Sequence, residues 1–367
     1  MSTLAIIVGV ILVVSVLADV VNTLVTTTTS TWRWWLTRVL YVNSWRIVAA
    51  CGDRISNEAR RERFFATYAP ISVLVMLVAW VLQQVVGFGL IWWGIRGIDG
   101  VDSLLDSIYF SGVVYFTVGF GEVVPVEQVP RFGALIEAFS GVLTTALVIG
   151  YLPALYSAYS EREQKLLTLD DGSEGRITPT NLVFSRTPDG DIRALDGFFE
   201  DWEAWMANIL ETHTTFPMLR IFRSQHVGQS WITALGLVAD AALHAELTVD
   251  GQGRAGYWAL RRASRVFAML TEGRDLSEYR KRLDKAAEAD PSALHDLYER
   301  MESHGFEMLP FDEAVEHSRA LRRTYDAQLE YLIDVFHTPR GFWGHEIGHH
   351  LEVSDAVAPD DASVTSG

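Results

Sequence analysis

Five consecutive residues, Thr117-Val118-Gly119-Phe120-Gly121, have the types and spacing for cation chemistry. Alternate glycines admit positive φ at no steric cost, so successive carbonyls can all turn to one side of the backbone. A ring of such carbonyls from four chains can replace the hydration shell of a cation. Thr117 would add a side-chain oxygen at one end of the stack. Val118 and Phe120 are expected to point away from the axis and brace the loop against the preceding helix. Two further motifs suggest enzymes. His345-Glu346-Ile347-Gly348-His349 has the spacing of a zinc peptidase helix, with His345 and His349 as candidate ligands. With so few candidates for a third ligand after His349, a polar helix end is the preferred reading, adventitious or regulatory metal binding with His350 comes next, and a membrane-anchored zinc hydrolase is the distant alternative. Gly251-Gln252-Gly253-Arg254-Ala255-Gly256 has dinucleotide-fingerprint spacing, but that fingerprint needs a preceding strand. Ala-rich helical sequence runs up to Leu247, so the glycines read as a loop between two helices.

The elements that must position the pentapeptide follow from charge and hydropathy. The 367 residues carry a net charge of -16, spread unevenly: residues 1–159 hold 9 Arg and 10 acids, residues 160–367 hold 21 Lys and Arg and 36 acids. No basic stripe exists for nucleic acid, and the lone Cys51 excludes an intrachain disulfide or a multi-cysteine metal site. In the neutral part, Thr3 to Val25, Ile71 to Ile95 and Ala138 to Tyr159 are each long and apolar enough to span a bilayer. The first has a single charge, Asp19, and no positive leading region, so it reads as a retained helix and not a signal peptide. Asp19 is left open between an intramembrane role and simple contact with the interface. Residues 26–69 carry seven Arg (33, 38, 46, 54, 60, 61 and 63), whereas residues 96–131 carry two, beside Asp99, Asp102, Asp106, Glu122 and Glu127. Counting basic residues puts the first loop inside, the amino terminus and the second loop outside, and everything after Tyr159 in the cytoplasm. Trp32, Trp34, Trp35 and Trp45 read as an interfacial belt.

Ser107 to Gly121 is uncharged but too short to cross, and must return to its starting side. Such a re-entrant segment needs protein or a water-filled cavity around it. The preceding helix, about Val101 to Phe116, is expected to be capped by Asp102 and to aim its negative carboxyl end at the pore centre. Outer helix, short helix, Gly-rich pentapeptide and inner helix over residues 70–160 together resemble the potassium channel pore family, whose signature is Thr-Val-Gly-Tyr-Gly-Asp. The resemblance implies a tetramer of identical chains, potassium selectivity, Thr117, Val118, Gly119, Phe120 and Gly121 as the filter, and Glu122 at the outer mouth. Phe120 and Glu122 stand where the family has Tyr and Asp. The Phe removes a hydroxyl that often ties the filter to its helix, and both changes bear on filter rigidity. In the inner helix, Gly141 matches the family's gating hinge, although a plain close-packing point is the competing reading. Thr144, Thr145 and Ile149 are expected at or near the cavity, and Pro153 to kink the helix near the gate, with simple termination at the membrane surface as the competing reading.

The expected fold is thus an all-α membrane protein. It divides into an amino-terminal helix (1–25), an Arg/Trp-rich interfacial segment (26–69), the pore (70–160), a mostly helical cytosolic regulatory domain (161–352) and a disordered tail (353–367). Within the regulatory domain, helices are expected at Leu195–Leu210, Trp231–Leu247, Tyr257–Leu270 and Ala314–Phe336, and a strand at Ile177–Phe184. Leu321, Tyr325, Leu329, Leu332 and Phe336 share one face of the last helix, where ordinary bundle packing is preferred over a zipper between subunits. The expected function is potassium conduction across the cell membrane, with a weakly selective cation channel as the alternative. There is no enzymatic step and no cofactor; the partners are potassium ions, the lipid bilayer and copies of the same chain, and no motif names a regulatory ligand. Ending the chain after about Gln164 is expected to leave a conducting or constitutively altered pore.

Overall fold

The computed structural model describes residues 2–24, 36–95, 97–169, 177–224, 230–289 and 292–338. Most of them are helical, and they form two units: residues 1–161 with 211–227, and residues 162–210 with 228–367.

In the first unit, α1 (Ser2–Leu24), α3 (Glu58–Gly94) and α5 (Gln128–Leu166) are long and apolar enough to cross a membrane. Their apolar runs leave few polar side chains, and two pairs of them tie α1 to α3. Trp80 Nε1 of α3 donates to Asp19 of α1 at 2.9 Å, and Gln83 Nε2 donates to Ser15 Oγ at 2.8 Å. Asp19 therefore serves as a buried tie between α1 and α3. Close approach of these helices depends on missing side chains: a Cβ on Gly87 would lie 2.9 Å from Val13 Cγ2 and 3.2 Å from the Gly9 carbonyl. Between them α2 (Leu36–Gly52) folds back on the start of α3, where Ser44 Oγ meets Tyr68 OH at 2.8 Å and Trp45 packs on Phe65 and Tyr68.

A short helix, α4 (Leu104–Tyr115), lies between α3 and α5. Its twelve residues rise only about 18 Å, too little to cross a bilayer. Asp102 is not its cap. Ser103 takes that position and accepts from the Asp106 amide, while the Asp106 carboxylate accepts from the Ser103 amide. A capping box outcompetes a lone aspartate because it satisfies two orphan donors reciprocally. On either side of α4, β1 (Ile98–Asp99) pairs antiparallel with β2 (Val124–Pro125), closing the connection at its base.

The second unit is built around α8 (Trp231–Glu246), every residue of which is buried. Helices α6 (Pro179–Arg186), α9 (Ala255–Leu270), α12 (Phe311–Arg322) and α13 (Asp326–Phe336) pack on it, and α10 (Ser277–Ala289) packs on α13. The remaining helices are α7 (Asp196–Thr215) and α11 (Ser292–Ser303). Two expectations need correction. The segment expected as a strand at Ile177–Phe184 is mostly helix α6, started by Thr178, whose hydroxyl accepts from the Asn181 amide, and by Pro179 in the first turn. The single helix expected over Ala314–Phe336 breaks at residues 323–325. There Thr324 Oγ donates back to the Leu321 carbonyl, and Tyr325 OH turns to Asp240 of α8. The apolar stripe is thus split, with Tyr325, Leu329 and Leu332 all in the core of this unit. Gly251 to Arg254 lie in the turn between α8 and α9 and Gly256 is already in α9; in the turn the Gly253 amide donates to buried Glu246 at 3.0 Å.

Candidate functional site

The pentapeptide follows directly from the end of α4. Thr117 N–H donates to the Val114 carbonyl at 3.0 Å and Val118 N–H to the Val113 carbonyl at 2.9 Å. These paired bonds make a Schellman ending, whose left-handed residue is usually glycine. Here it is Thr117, at φ 57°. A β-branched residue in that region is a true outlier, held only because the surroundings determine it. Gly119 and Gly121 are also left-handed, at φ 62° and 88°. Positive φ thus recurs at 117, 119 and 121.

Within one chain the loop is open. A Cβ placed on Gly119 or Gly121 would meet nothing within 4 Å. Val118 is 50% exposed and Phe120 71% exposed, so Phe120 is not braced by its own short helix as expected from sequence. The tie to that helix is made elsewhere: Tyr109 OH of α4 donates to Glu122 Oε1 at 2.7 Å. The longer carboxylate after the pentapeptide reaches a hydroxyl that Phe120 lacks. Among the acids flanking α4 and the pentapeptide, Asp106 is committed to capping and Glu122 bonds Tyr109, and Asp102, Glu122 and Glu127 are all exposed.

On α5 the residues singled out from sequence divide between two faces. Gly141 lies against the end of α4, where a Cβ would collide with the Tyr115 carbonyl. Thr144, one turn on, is buried beside Tyr115 and bonds the Ser140 carbonyl. It therefore packs behind the short helix and does not share the open face expected to line a cavity. Thr145, Ile149 and Pro153 are exposed within one chain. Sequence reasoning missed Glu137, which is fully buried at the start of the same packed face and bonds Trp92 of α3 and Ser111 of α4. It stands four residues before Gly141, at the edge of an otherwise uncharged run. That spacing was the available signal.

His345 and His349 lie outside the described residues, as do Trp32, Trp34, Trp35 and residues 353–367. Among the described residues, no three His, Cys, Asp or Glu side chains gather to hold a metal ion.

At the opposite end of α3 and α5 from the pentapeptide, residues 211–227 return to the first unit, although they sit within the 161–352 stretch read from sequence as one domain. Met218, Leu219 and Phe222 bury themselves with Val20 of α1, Ala69 and Val73 of α3, and Tyr151, Leu155 and Tyr159 of α5. Tyr159 OH donates to the Arg223 carbonyl at 3.0 Å.

Residues 71–157 match the family described as ion channel. An uncharacterized membrane protein, YdjJ, of Bacillus subtilis (strain 168) is 28% identical over 142 residues, 38% of this chain and 40% of the relative. The chain thus spans well under half the length of the curated relative it matches. No solved structure matches it.

Proposed function

Residues 71–157 form an ion channel domain in a membrane protein, and from that premise we propose that the chain is one subunit of a homotetrameric, potassium-selective channel. The observation that carries the reading is the alternation of left-handed backbone at Thr117, Gly119 and Gly121. Four copies of that backbone around an axis would offer stacked rings of carbonyl oxygens, with Thr117 hydroxyls at one end, to a dehydrated cation. The carboxyl end of α4 points its partial negative charge toward the same axis. The exposed faces of Val118, Phe120, Phe132, Phe139 and Ile149 are those that neighbouring subunits and the cavity would cover. The ion channel family is not a family of enzymes, and conduction involves no chemical step and no cofactor.

In this reading residues 70–160 are the pore, with Glu122 at its outer mouth and Gly141, Thr144, Thr145, Ile149 and Pro153 along the inner helix. The protein resides in the cell membrane with its amino terminus outside and its acidic second unit in the cytoplasm, as the arginine distribution supports. Potassium and the bilayer are then its partners, and the second unit regulates the pore. A second reading, a weakly selective cation channel, is favoured by Phe120 and Glu122, which replace the family's Tyr and Asp. Purified protein in liposomes separates the two. A reversal potential that follows the potassium gradient supports selectivity, and one that stays at zero in opposed potassium and sodium gradients overturns it.

A further inference from the structure

Glu137 is a carboxylate with no exposure, placed in α5 between two other helices. Trp92 Nε1 of α3 donates to its Oε2 at 2.6 Å, and Ser111 Oγ of α4 is hydrogen-bonded to its Oε1. The same Ser111 Oγ lies 2.8 Å from the Val85 carbonyl of α3. Trp92 is itself fixed: its ring meets Phe110 of α4 edge-on at 5.8 Å, and a Cβ on Gly133 of α5 would lie 2.5 Å from the ring. Three helices therefore meet at one carboxylate. A buried charge-bearing group is costly in such a place, and an apolar side chain of similar volume would fill the space at less expense. What the apolar side chain would lack is direction, because hydrogen bonds fix the rotation of α4 about its axis whereas apolar packing tolerates slippage.

That rotation reaches the filter in two steps. Ser111 lies one turn before Tyr115, and Glu137 one turn before Gly141, so α4 and α5 meet at Ser111/Glu137 and again at Tyr115/Gly141. Between those contacts stand Val113 and Val114, whose carbonyls hold the amides of Val118 and Thr117. We propose that Glu137 is a positioning residue for ion selectivity, holding α4 through Ser111 and Trp92 so that the filter carbonyls keep their spacing. The inference rests on the potassium-selective reading above. Ser111 has one hydroxyl hydrogen and two acceptors within reach, Glu137 and the Val85 carbonyl. A glutamine at 137 supplies the second hydrogen and keeps the network whole, whereas a leucine of similar size abolishes it.

The test measures the potassium-to-sodium permeability ratio of full-length protein in liposomes for the wild type, E137Q, E137L, S111A and W92F, with tetramer assembly checked by size. E137Q should keep the ratio within about twofold, while E137L should assemble and lose about tenfold, with S111A and W92F between them. Adding S111A to E137L should cost nothing further, because both changes cut the same tie. An assembled E137L channel with the wild-type ratio overturns the proposal, as does an equal loss in E137Q and E137L. Should E137L not assemble, unchanged ratios in both S111A and W92F overturn it. A wild type without selectivity instead sinks the potassium reading on which the proposal stands.

Discussion

Thr117 carries a conformation that its side chain opposes, which makes it a sharp probe of what the loop is for. Glycine at this position should relieve about 1 kcal/mol of left-handed strain. T117G is therefore expected to raise the thermal stability of the protein while lowering its potassium-to-sodium permeability ratio, measured by thermal unfolding and by liposome flux. A gain in stability with an unchanged ratio would remove Thr117 from the filter. A different residue-scale effect belongs to the second unit. Burial pushes Glu246 up to about 7, against the lesser opposing effect of the Gly253 amide. Burial also pushes Asp326 up to about 7, with Arg322 opposing. A carboxyl raised in the folded state favours folding below its unfolded value, 4.5 for Glu246 and 3.8 for Asp326, and progressively loses that contribution as pH rises through the folded value. Stability around α8 should thus decline between about pH 4.5 and 8 by on the order of 2 kcal/mol, read as amide exchange corrected for its intrinsic pH dependence. E246Q should flatten that decline, and an unaltered slope would dismiss Glu246 as its source.

Among the elements, α5 has two glycines in its membrane-length run whose surroundings separate packing from flexibility. Gly141 is pressed against the Tyr115 carbonyl, while a Cβ at Gly150 would meet nothing within 4 Å. G141A is expected to destabilise the protein by about 2 kcal/mol and to abolish conduction by pushing α4 away, whereas G150A should be nearly silent in unfolding and flux assays. Equal tolerance of both substitutions would return Gly141 to the role of a hinge that alanine can still bend. The capping box at Ser103 and the two-residue β1–β2 ladder show how little regular structure is needed to fix both ends of a twelve-residue helix. Its polar ends were legible as a short uncharged run between acids. The identity of its cap was not, because Asp102 and Ser103 are both good caps and only the Asp106 side chain decides between them.

For the whole molecule, the returning segment around Phe222 changes what a shortened chain should do. Ending the chain after Gln164 removes Met218, Leu219 and Phe222 from Ala69, Val73, Tyr151, Leu155 and Tyr159. The expectation of a conducting or constitutively altered pore is therefore replaced: the shortened protein should lose the oligomer peak that the proposed channel requires on size exclusion, together with its flux, and F222A in the full chain should cost about 3 kcal/mol. A stable, conducting chain ending at Gln164 would show that the segment's burial is dispensable. The segment also enters the first unit between two parts of the second, so the chain joins the units at 161, 210 and 227.

Membrane-length helices, the short helix between them and the alternating glycines were all readable in the one-dimensional pattern, because hydropathy runs and left-handed turns are set by residues a few positions apart. So was the turn at Gly251–Gly256, since a helix and not a strand precedes it. Four features were decided only by tertiary structure: the partners of Glu137, the burial of Thr144, the break at residues 323–325, and the return of residues 211–227. Each depends on which face of one helix meets which face of another, dozens of residues away. A carboxylate beside an apolar run reads as the edge of a membrane until Trp92 and Ser111 are brought to it. A threonine next to another reads as pore lining until the neighbouring helix covers it. Local sequence specifies what each element can bury; packing alone decides what it does bury, because the cost of an unmet polar group is settled by whichever donors arrive.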